Sequence, residues 1–135
     1  FKKDVIIRSE VKFGFNTRFD FLIKDKNFNA FIEVKNVTLK RKLNVAEFPD
    51  AITSRGVKHI DELMNANKKG YKTYLLFIVQ REDCKLFKIA NDIDPKYSKT
   101  LSQAIKKSLK ILCYDCKFSP KGIKVNKKIS LKVDE

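Results

Sequence analysis

Long apolar runs are missing from these 135 residues, and their absence excludes a helical membrane span. A span needs roughly 18 consecutive apolar residues. The longest run here, Tyr74–Val79, has only the length of a buried strand. The sequence also lacks a secretion signal, so we expect a cytoplasmic protein with no membrane partner. It begins with Phe rather than Met, which indicates a fragment or a start without fixed structure.

Cysteine is scarce as well. Three residues, Cys84, Cys113 and Cys116, do not make a disulfide framework, and we expect reduced thiols. The spacing of Cys113 and Cys116 resembles half of a zinc site, but no second pair accompanies it. Their segment has the composition of a strand, on which residues three apart point to opposite faces. We therefore expect no zinc site here.

Acidic residues are few beside basic ones: 30 Lys and Arg stand against 16 Asp and Glu, a formal net charge of +14. Such a field attracts polyanions and favours a nucleic acid partner. A compositional origin is the alternative, because only five basic residues are Arg, and abundant Lys, Asn, Ile and Phe are typical of an AT-rich genome. The charge therefore supports a DNA partner without establishing one.

The apolar patterning predicts a single α/β domain over residues 1–135, in which a mixed β-sheet is flanked by helices. The unbroken apolar strand Tyr74–Gln80 is of the kind that lies centrally and is covered on both faces. The helix that opens at Asp94-Pro95 has a predicted apolar stripe of Tyr97, Leu101, Ala104 and Ile105. The other predicted elements are the strands Val5–Phe15, Thr17–Lys24, Ala30–Lys40, Lys110–Phe118 and Lys124–Val133 and the helix Thr53–Lys68.

Three ionisable residues of the predicted hairpin form a pattern that suits phosphodiester hydrolysis. Glu33 and Lys35 stand two apart on a strand, so both side chains emerge on the same face. Asp20 lies on the partner strand and, with the reversal near Asn27, comes roughly opposite Glu33. Two adjacent carboxylates repel each other unless a divalent cation lies between them. With Mg²⁺ or Mn²⁺ held there, Lys35 would orient or activate the attacking water.

A solvated strand face with a cross-strand ion pair is the alternative for such a pattern. Apolar residues flank Glu33 on both sides, which indicates an internal strand. Asp20 lies among bulky neighbours in a strand, where β propensity disfavours it unless it has a task. Both features favour a catalytic site. Glu10 and the backbone carbonyl of Val34 are candidates for further metal ligands.

Four other residues are candidates for DNA contact or for support of the site. Arg55 and His59 stand one turn apart on the first predicted helix and can face the active-site edge of the sheet. A packing or surface role is the alternative for His59, the only histidine. Arg18 shares a strand face with Asp20, and Gln80 ends the apolar strand.

The motifs of this sequence resemble those of the sugar fermentation stimulation protein A family. The resemblance covers nearly the whole chain, and the combination of motifs is more specific than any one of them. The segments that carry it are Arg18–Leu22, Phe31–Leu39, Phe48–Gly56, Lys58–Met64, Leu76–Arg81, Asn91–Tyr97 and Ser119–Ile123.

This resemblance implies a restriction-endonuclease-like core of the PD-(D/E)XK type. It places Asp20 and Glu33 at the metal positions, Lys35 at the catalytic lysine and Glu10 at an upstream acidic position. The sequence departs from the motif at Phe19, where the family type has Pro. Full-length members of the family carry in addition an N-terminal OB-fold-like domain, which we do not find in these 135 residues.

Two functions remain open at this point. One is a Mg²⁺- or Mn²⁺-dependent DNA endonuclease or exonuclease. The other is a non-catalytic, sequence-independent DNA-binding regulator linked to sugar metabolism. An RNA-binding or membrane-associated domain has no motif in its favour. The sequence does not indicate the form of the DNA substrate or the oligomeric state.

Overall fold

A computed structural model describes residues 5–14 and 17–132 as two β-sheets and two helices. In chain order the elements are β1 (Ile6–Phe13), β2 (Thr17–Lys24), β3 (Asn29–Val37), β4 (Leu39–Lys42), β5 (Val45–Phe48), α1 (Ser54–Lys68), β6 (Lys72–Val79), β7 (Leu86–Ile89), α2 (Pro95–Lys106), β8 (Lys110–Ser119), β9 (Gly122–Lys128) and β10 (Ser130–Leu131). The mixed α/β class predicted from the sequence is confirmed. Phe15, Asn16 and Val133, which the predicted strands and turn include, lie outside the described residues.

Strand β3 joins two kinds of pairing in the larger sheet, whose order is β1-β2-β3-β6-β8-β9. On one side it pairs antiparallel with β2, with Leu22 opposite Phe31. The reversal between them is closed by a hydrogen bond from Asp25 N–H to the Phe28 carbonyl, 2.9 Å long, close to the predicted position. On its other side β3 runs parallel to β6. The side chains of β3 therefore lie between a hairpin partner and the centre of the sheet.

The two faces of the central strand β6 are covered unequally. One face is fully buried and carries Thr73, Leu75, Phe77 and Val79, which pack into the main core together with α1 and α2. The other face is only half-buried and carries Tyr74, Leu76 and Ile78. The prediction that this strand is covered on both faces is therefore wrong for the second face. Residues of both helices and of the smaller sheet enter the core on the first face.

A second sheet of four strands, in the order β10-β7-β5-β4, was not predicted. The predicted strand Ala30–Lys40 ends in fact at Val37, and the chain then enters this other sheet at Leu39. Buried Glu47 is held there by both the Nε and Nη2 atoms of Arg41. The strands β4, β5 and β7 have four residues each, too few to show a period. The predicted last strand likewise divides, at buried Ile129, into β9 and β10.

The two helices begin side by side and are tied together by one carboxylate. Thr53 caps α1, because its hydroxyl accepts a hydrogen bond from Gly56 N–H at 2.9 Å. Asp94 caps α2 through Tyr97 N–H at 3.1 Å and also accepts from Thr53 N–H at 2.9 Å. Both helix starts agree with the prediction. The predicted stripe of α2 is wrong only at Ile105, which is 40% exposed because it lies at the outer edge of the helix.

The cysteines and the helices have two further properties. Cys113 and Cys116 are both buried, and residues 5–14 and 17–132 contain no group of three or more His, Cys, Asp or Glu side chains placed to hold a metal. Within the same residues, neither helix has the length and apolar character that crossing a membrane requires.

Removing the Asp94 carboxylate should destabilise the fold, because two backbone N–H groups lose their acceptor at a site that is 3% exposed. We expect Asp94→Ala to lower the free energy of unfolding by about 2–4 kcal/mol, from a lost cap and a second unpaired donor. Asp94→Asn keeps one acceptor and should cost less. Urea denaturation measures both, with the exposed Asp61→Ala on α1 as control, expected to stay within about 0.5 kcal/mol of the unchanged protein. Equal effects of Asp94→Ala and Asp61→Ala would contradict the linking role.

Candidate metal and catalytic site

Asp20 and Glu33 meet where the ladder between β2 and β3 ends. The ladder reaches Phe21 opposite Ile32, so the next residues on the two strands are Asp20 and Glu33. The Asp20 carboxylate takes the place of a backbone partner: its Oδ2 accepts a hydrogen bond from Val34 N–H at 2.7 Å. The two carboxyl groups lie close enough together for each to shift the pKa of the other. The juxtaposition predicted from the sequence is therefore confirmed.

One proton is shared by these two carboxyl groups. Burial, the hydrogen bond with Asp20 and the negative charge of Asp20 raise the pKa of Glu33 to about 8. Burial acts in the same direction on Asp20, but hydrogen bonds with Glu33 and Val34 and the charge of Lys35 outweigh it and lower the pKa of Asp20. Near neutral pH the pair therefore carries one negative charge, with the proton on Glu33.

His59 of α1 holds the amine of Lys35. The Lys35 Nζ lies 2.8 Å from His59 Nδ1, and the same Nδ1 lies 3.2 Å from Glu33 Oε2. Burial, followed by the positive charges of Lys35 and Arg55, lowers the pKa of His59 to about 4. The ring is therefore neutral, and its Nδ1 accepts a hydrogen bond from the Lys35 ammonium. It has no proton to offer Glu33, so its closeness to Glu33 is not an ion pair.

The Lys35 ammonium lies in a site that partly disfavours its charge. Burial lowers the pKa of Lys35, and the negative charges of Glu33 and Asp20 only partly offset this. Arg55, exposed on the first turn of α1, lowers the Lys35 pKa further through its own charge. Lys35 therefore gives up a proton more readily than an exposed lysine, which suits a residue that orients or activates water.

The carboxyl pair fits a divalent cation. Glu33 Oε2 is buried and, within the described structure, has no hydrogen-bond partner, which is costly for a carboxyl oxygen. In a strand the N–H and C=O of one residue point to the same side. The Val34 carbonyl therefore faces the same side as the N–H that Asp20 accepts, beyond the last ladder pair. Two carboxylates with one carbonyl leave positions for water or phosphate, as Mg²⁺ commonly retains.

Tyr97 lies near enough to Glu33 for its pKa to respond to that carboxyl group, and the sequence indicated it only as a core residue. It is fully buried, its hydroxyl has no hydrogen-bond partner among the described residues, and burial, then the charges of Asp94 and Glu33, raise its pKa. Its ring packs against α1 at Gly56, where a Cβ atom would come within 2.9 Å of the ring and of the Thr53 side chain. No signal in the sequence separates Tyr97 from the apolar stripe to which it belongs.

Three predicted residues are not drawn into the cluster. Glu10 is exposed on β1, level with Asp20 but on the strand beyond it, and has a left-handed backbone with φ of 50°. Arg18 is exposed and paired across the ladder with Lys12. Gln80 is exposed just after β6, roughly 10 Å along the sheet from the level of Lys35. In the described structure no side-chain hydrogen bond or ion pair joins any of the three to Asp20, Glu33 or Lys35, so a metal role for Glu10 has no geometric support.

The known proteins that resemble this chain in sequence carry one family description. The sequence model described as "Sugar fermentation stimulation protein RE domain" matches residues 2–122. A sugar fermentation stimulation protein homolog from Pelagibacter ubique is 51% identical over 125 residues, which cover 93% of this chain and 54% of the relative. The homolog from Paramagnetospirillum magneticum is 43% identical over 130 residues, covering 96% of this chain and 55% of the relative. The chain thus spans about half the length of these curated relatives.

A solved structure agrees in fold. It is described as "The structure of Pyrococcus Furiosus SfsA in complex with Ca2+" and superposes with a TM-score of 0.86 at 26% sequence identity. The match covers 97% of this chain and 57% of the solved one.

The shared proton predicts how stability depends on pH. The folded protein keeps a proton on Glu33 up to a pH of about 8, whereas an unfolded chain releases it near 4.5. Between these values the folded state binds more protons, so Glu33 makes stability fall as pH rises. His59 acts oppositely, but only between its folded pKa of about 4 and 6.5. From pH 6.5 to 8 we therefore expect the melting temperature without metal to fall more steeply than in Glu33→Gln.

Addition of Ca²⁺ or Mn²⁺ should restore stability at pH 8 in the unchanged protein, because the cation takes the place of the proton between the carboxylates. The same addition should have little effect on Glu33→Gln. Identical pH profiles of the two proteins, measured by thermal unfolding in EDTA, would show that no proton is held by this pair.

Proposed function

This chain belongs to the sugar fermentation stimulation protein family, and we propose that it is a restriction-endonuclease-like domain of the PD-(D/E)XK type that hydrolyses DNA phosphodiesters with Mg²⁺ or Mn²⁺. The observation that carries the proposal is the pair of Asp20 and Glu33, sharing one proton beside the buried amine of Lys35. Asp20 has a structural partner in the Val34 N–H, but Glu33 leaves one buried carboxyl oxygen without a hydrogen-bond partner in the described structure. A metal-dependent hydrolase needs both carboxyl groups.

Asp20, Glu33 and the Val34 carbonyl are the groups that would hold the cation. All are oxygen donors, which Mg²⁺, Mn²⁺ and Ca²⁺ prefer. The solved relative from Pyrococcus furiosus is described in complex with Ca²⁺, which supports a hard-cation site in this family. When bound, the cation polarises a phosphoryl oxygen and lowers the pKa of water.

In this proposal Lys35 acts on the water and the phosphate, and His59 positions Lys35. The Lys35 ammonium lies beside the carboxylates, where it can orient the attacking water and stabilise negative charge that develops on the phosphate. The hydrogen bond to His59 at 2.8 Å fixes the end of a long, flexible side chain. Because the imidazole is neutral, it accepts from Lys35 without adding a charge that would compete for the phosphate.

DNA is the polyanion that we propose as partner, since the formal net charge is +14. Arg55, exposed on the first turn of α1, adds a positive charge near the site. The start of α1 adds the partial positive charge of a helix N-terminus near the same place. Together these features favour a phosphate group close to Lys35.

A test of this proposal separates hydrolysis from binding. We expect the protein to cut DNA with Mg²⁺ or Mn²⁺ and not in EDTA. Lys35→Ala should lower the cleavage rate by about 100-fold or more, because a preorganised charge at the reacting phosphate is lost. Its DNA affinity should change little, since one lysine contributes a small part of a diffuse phosphate contact. Glu33→Gln should also stop cleavage, because the metal loses a carboxylate ligand, and it should retain DNA affinity in EDTA, since Glu33 already carries a proton near neutral pH there.

The matched control is Lys26→Ala, which removes the same charge from the exposed turn between β2 and β3 and should leave cleavage unchanged. Cleavage is measured on plasmid and oligonucleotide substrates and affinity by fluorescence anisotropy. An unchanged protein that binds DNA but cuts none with either metal would leave only the alternative, a non-catalytic DNA-binding regulator, because a nuclease fold alone does not confer activity.

A further inference from the structure

The end of β8 and β9 form a two-stranded ribbon, of which residues 116–125 project past the rest of the large sheet, while Lys128 lies opposite Tyr114 within it. Strand β6 ends opposite Asp115, and from Cys116 onward β8 pairs only with β9. We call residues 116–128 the ribbon. All seven residues of β9 are exposed. Such a ribbon has no core of its own, and an isolated hairpin is marginally stable in water.

The ribbon is nevertheless held in place at its base and at its tip. At the base, the Phe118 N–H donates to the Glu82 carboxylate and Cys116 N–H to the Arg81 carbonyl. At the tip, the Ser119 hydroxyl accepts from Lys121 N–H and donates to the Gly122 carbonyl. Its position relative to the sheet is therefore set before any partner binds, which reduces the entropy lost on binding.

The charge of the ribbon is of one sign. Its 13 residues include five lysines and no acidic residue. Lys117 stands directly opposite Lys124 across the ladder, an arrangement that is destabilising for like charges. In the part of the chain that the structure describes, none of the five ammonium groups has a carboxylate partner. A lysine-rich composition accounts for many lysines but not for their facing each other on a strand that nothing covers.

The ribbon lies on the same edge of the sheet as the candidate site. Lys35 is level with Phe77 on β6 and with Cys113 on β8. From that level the ribbon extends about 20 Å to Ser119, and it stands roughly 10 Å to the side, two strands from β3. A duplex is about as wide as this reach, so one molecule can contact the site and the ribbon together. The major groove also admits a two-stranded β ribbon.

We propose that the ribbon holds double-stranded DNA, with Lys117, Lys121 and Lys124 on its phosphates while the scissile phosphate lies at Lys35. The side of the ribbon away from Lys117 and Lys124 carries exposed Phe118 and Ile123, which suit contact with sugars and base edges inside a groove. This inference rests on the proposed function and adds to it the form of the substrate, a duplex, and the element that grips it.

The test compares two triple variants that remove the same charge. One is Lys117→Gln, Lys121→Gln and Lys124→Gln in the ribbon. The control is Lys99→Gln, Lys106→Gln and Lys107→Gln, exposed on α2, with the last two near the opposite edge of the sheet, where β8 begins. Affinity for a duplex and for a single strand of equal length is measured by fluorescence anisotropy over a range of salt.

We expect the ribbon variant to lose duplex affinity on the order of tenfold or more, and the slope of log affinity against log salt to fall by about 3, one for each phosphate contact. The control should lose clearly less. The control should melt as the unchanged protein does, since every exchanged side chain is exposed, and the ribbon variant should melt no lower, because the repulsion between Lys117 and Lys124 is removed.

Equal losses in the two variants, or a preference of the unchanged protein for single strands, would overturn the ribbon assignment. In either case cleavage that still depends on Lys35 would leave the proposed function standing. Absence of DNA binding and of cleavage by the unchanged protein would overturn both.

Discussion

The structure depends on one electrostatic constraint, the placing of Asp20 against Glu33 where a β ladder stops. Had the ladder continued, both residues would have been paired through their backbones, and the carboxyl groups would have repelled each other across the strands. Because it ends at Phe21 and Ile32, the Asp20 carboxylate bonds to the Val34 backbone instead and the two acids share a proton. The neutral state of His59 and the position of Lys35 are both consistent with this one junction.

Much of this junction was predictable because it is local. Glu33 and Lys35 stand two apart on a strand, and Asp20 and Glu33 stand 13 positions apart, which is enough for a hairpin with a short reversal. Strand periodicity then places all three side chains on one face. The contact between His59 of α1 and Lys35 was less predictable. The amphipathic period of α1 shows which face of the helix is buried, but not how far His59 lies from Lys35.

What could not be predicted arises from contacts between distant parts of the chain. The smaller sheet consists largely of four-residue strands, which are too short to show an apolar period. It is held by the hydrogen bonds between Arg41 and Glu47 and by the packing of Phe87 on Phe77. Tyr97 lies within electrostatic range of Glu33 because α2 packs beside α1, which the sequence does not show. The ribbon was read correctly as strand, but its protrusion follows from β6 ending four residues earlier than β8, relative to their shared register.

Gly56 occupies a position of α1 where the neighbouring atoms leave no room for a side chain. Any side chain there, even a methyl group, meets the Thr53 side chain and the Tyr97 ring at 2.9 Å, so one of the two must move. Moving the Thr53 side chain breaks the cap of α1, and moving the Tyr97 ring disturbs its packing against α1. If α1 shifts instead, it moves His59, three residues farther along the same helix, relative to its partner Lys35 at 2.8 Å. A residue without a functional group thus determines how closely α1, the helix that carries His59, can pack against Tyr97 of α2.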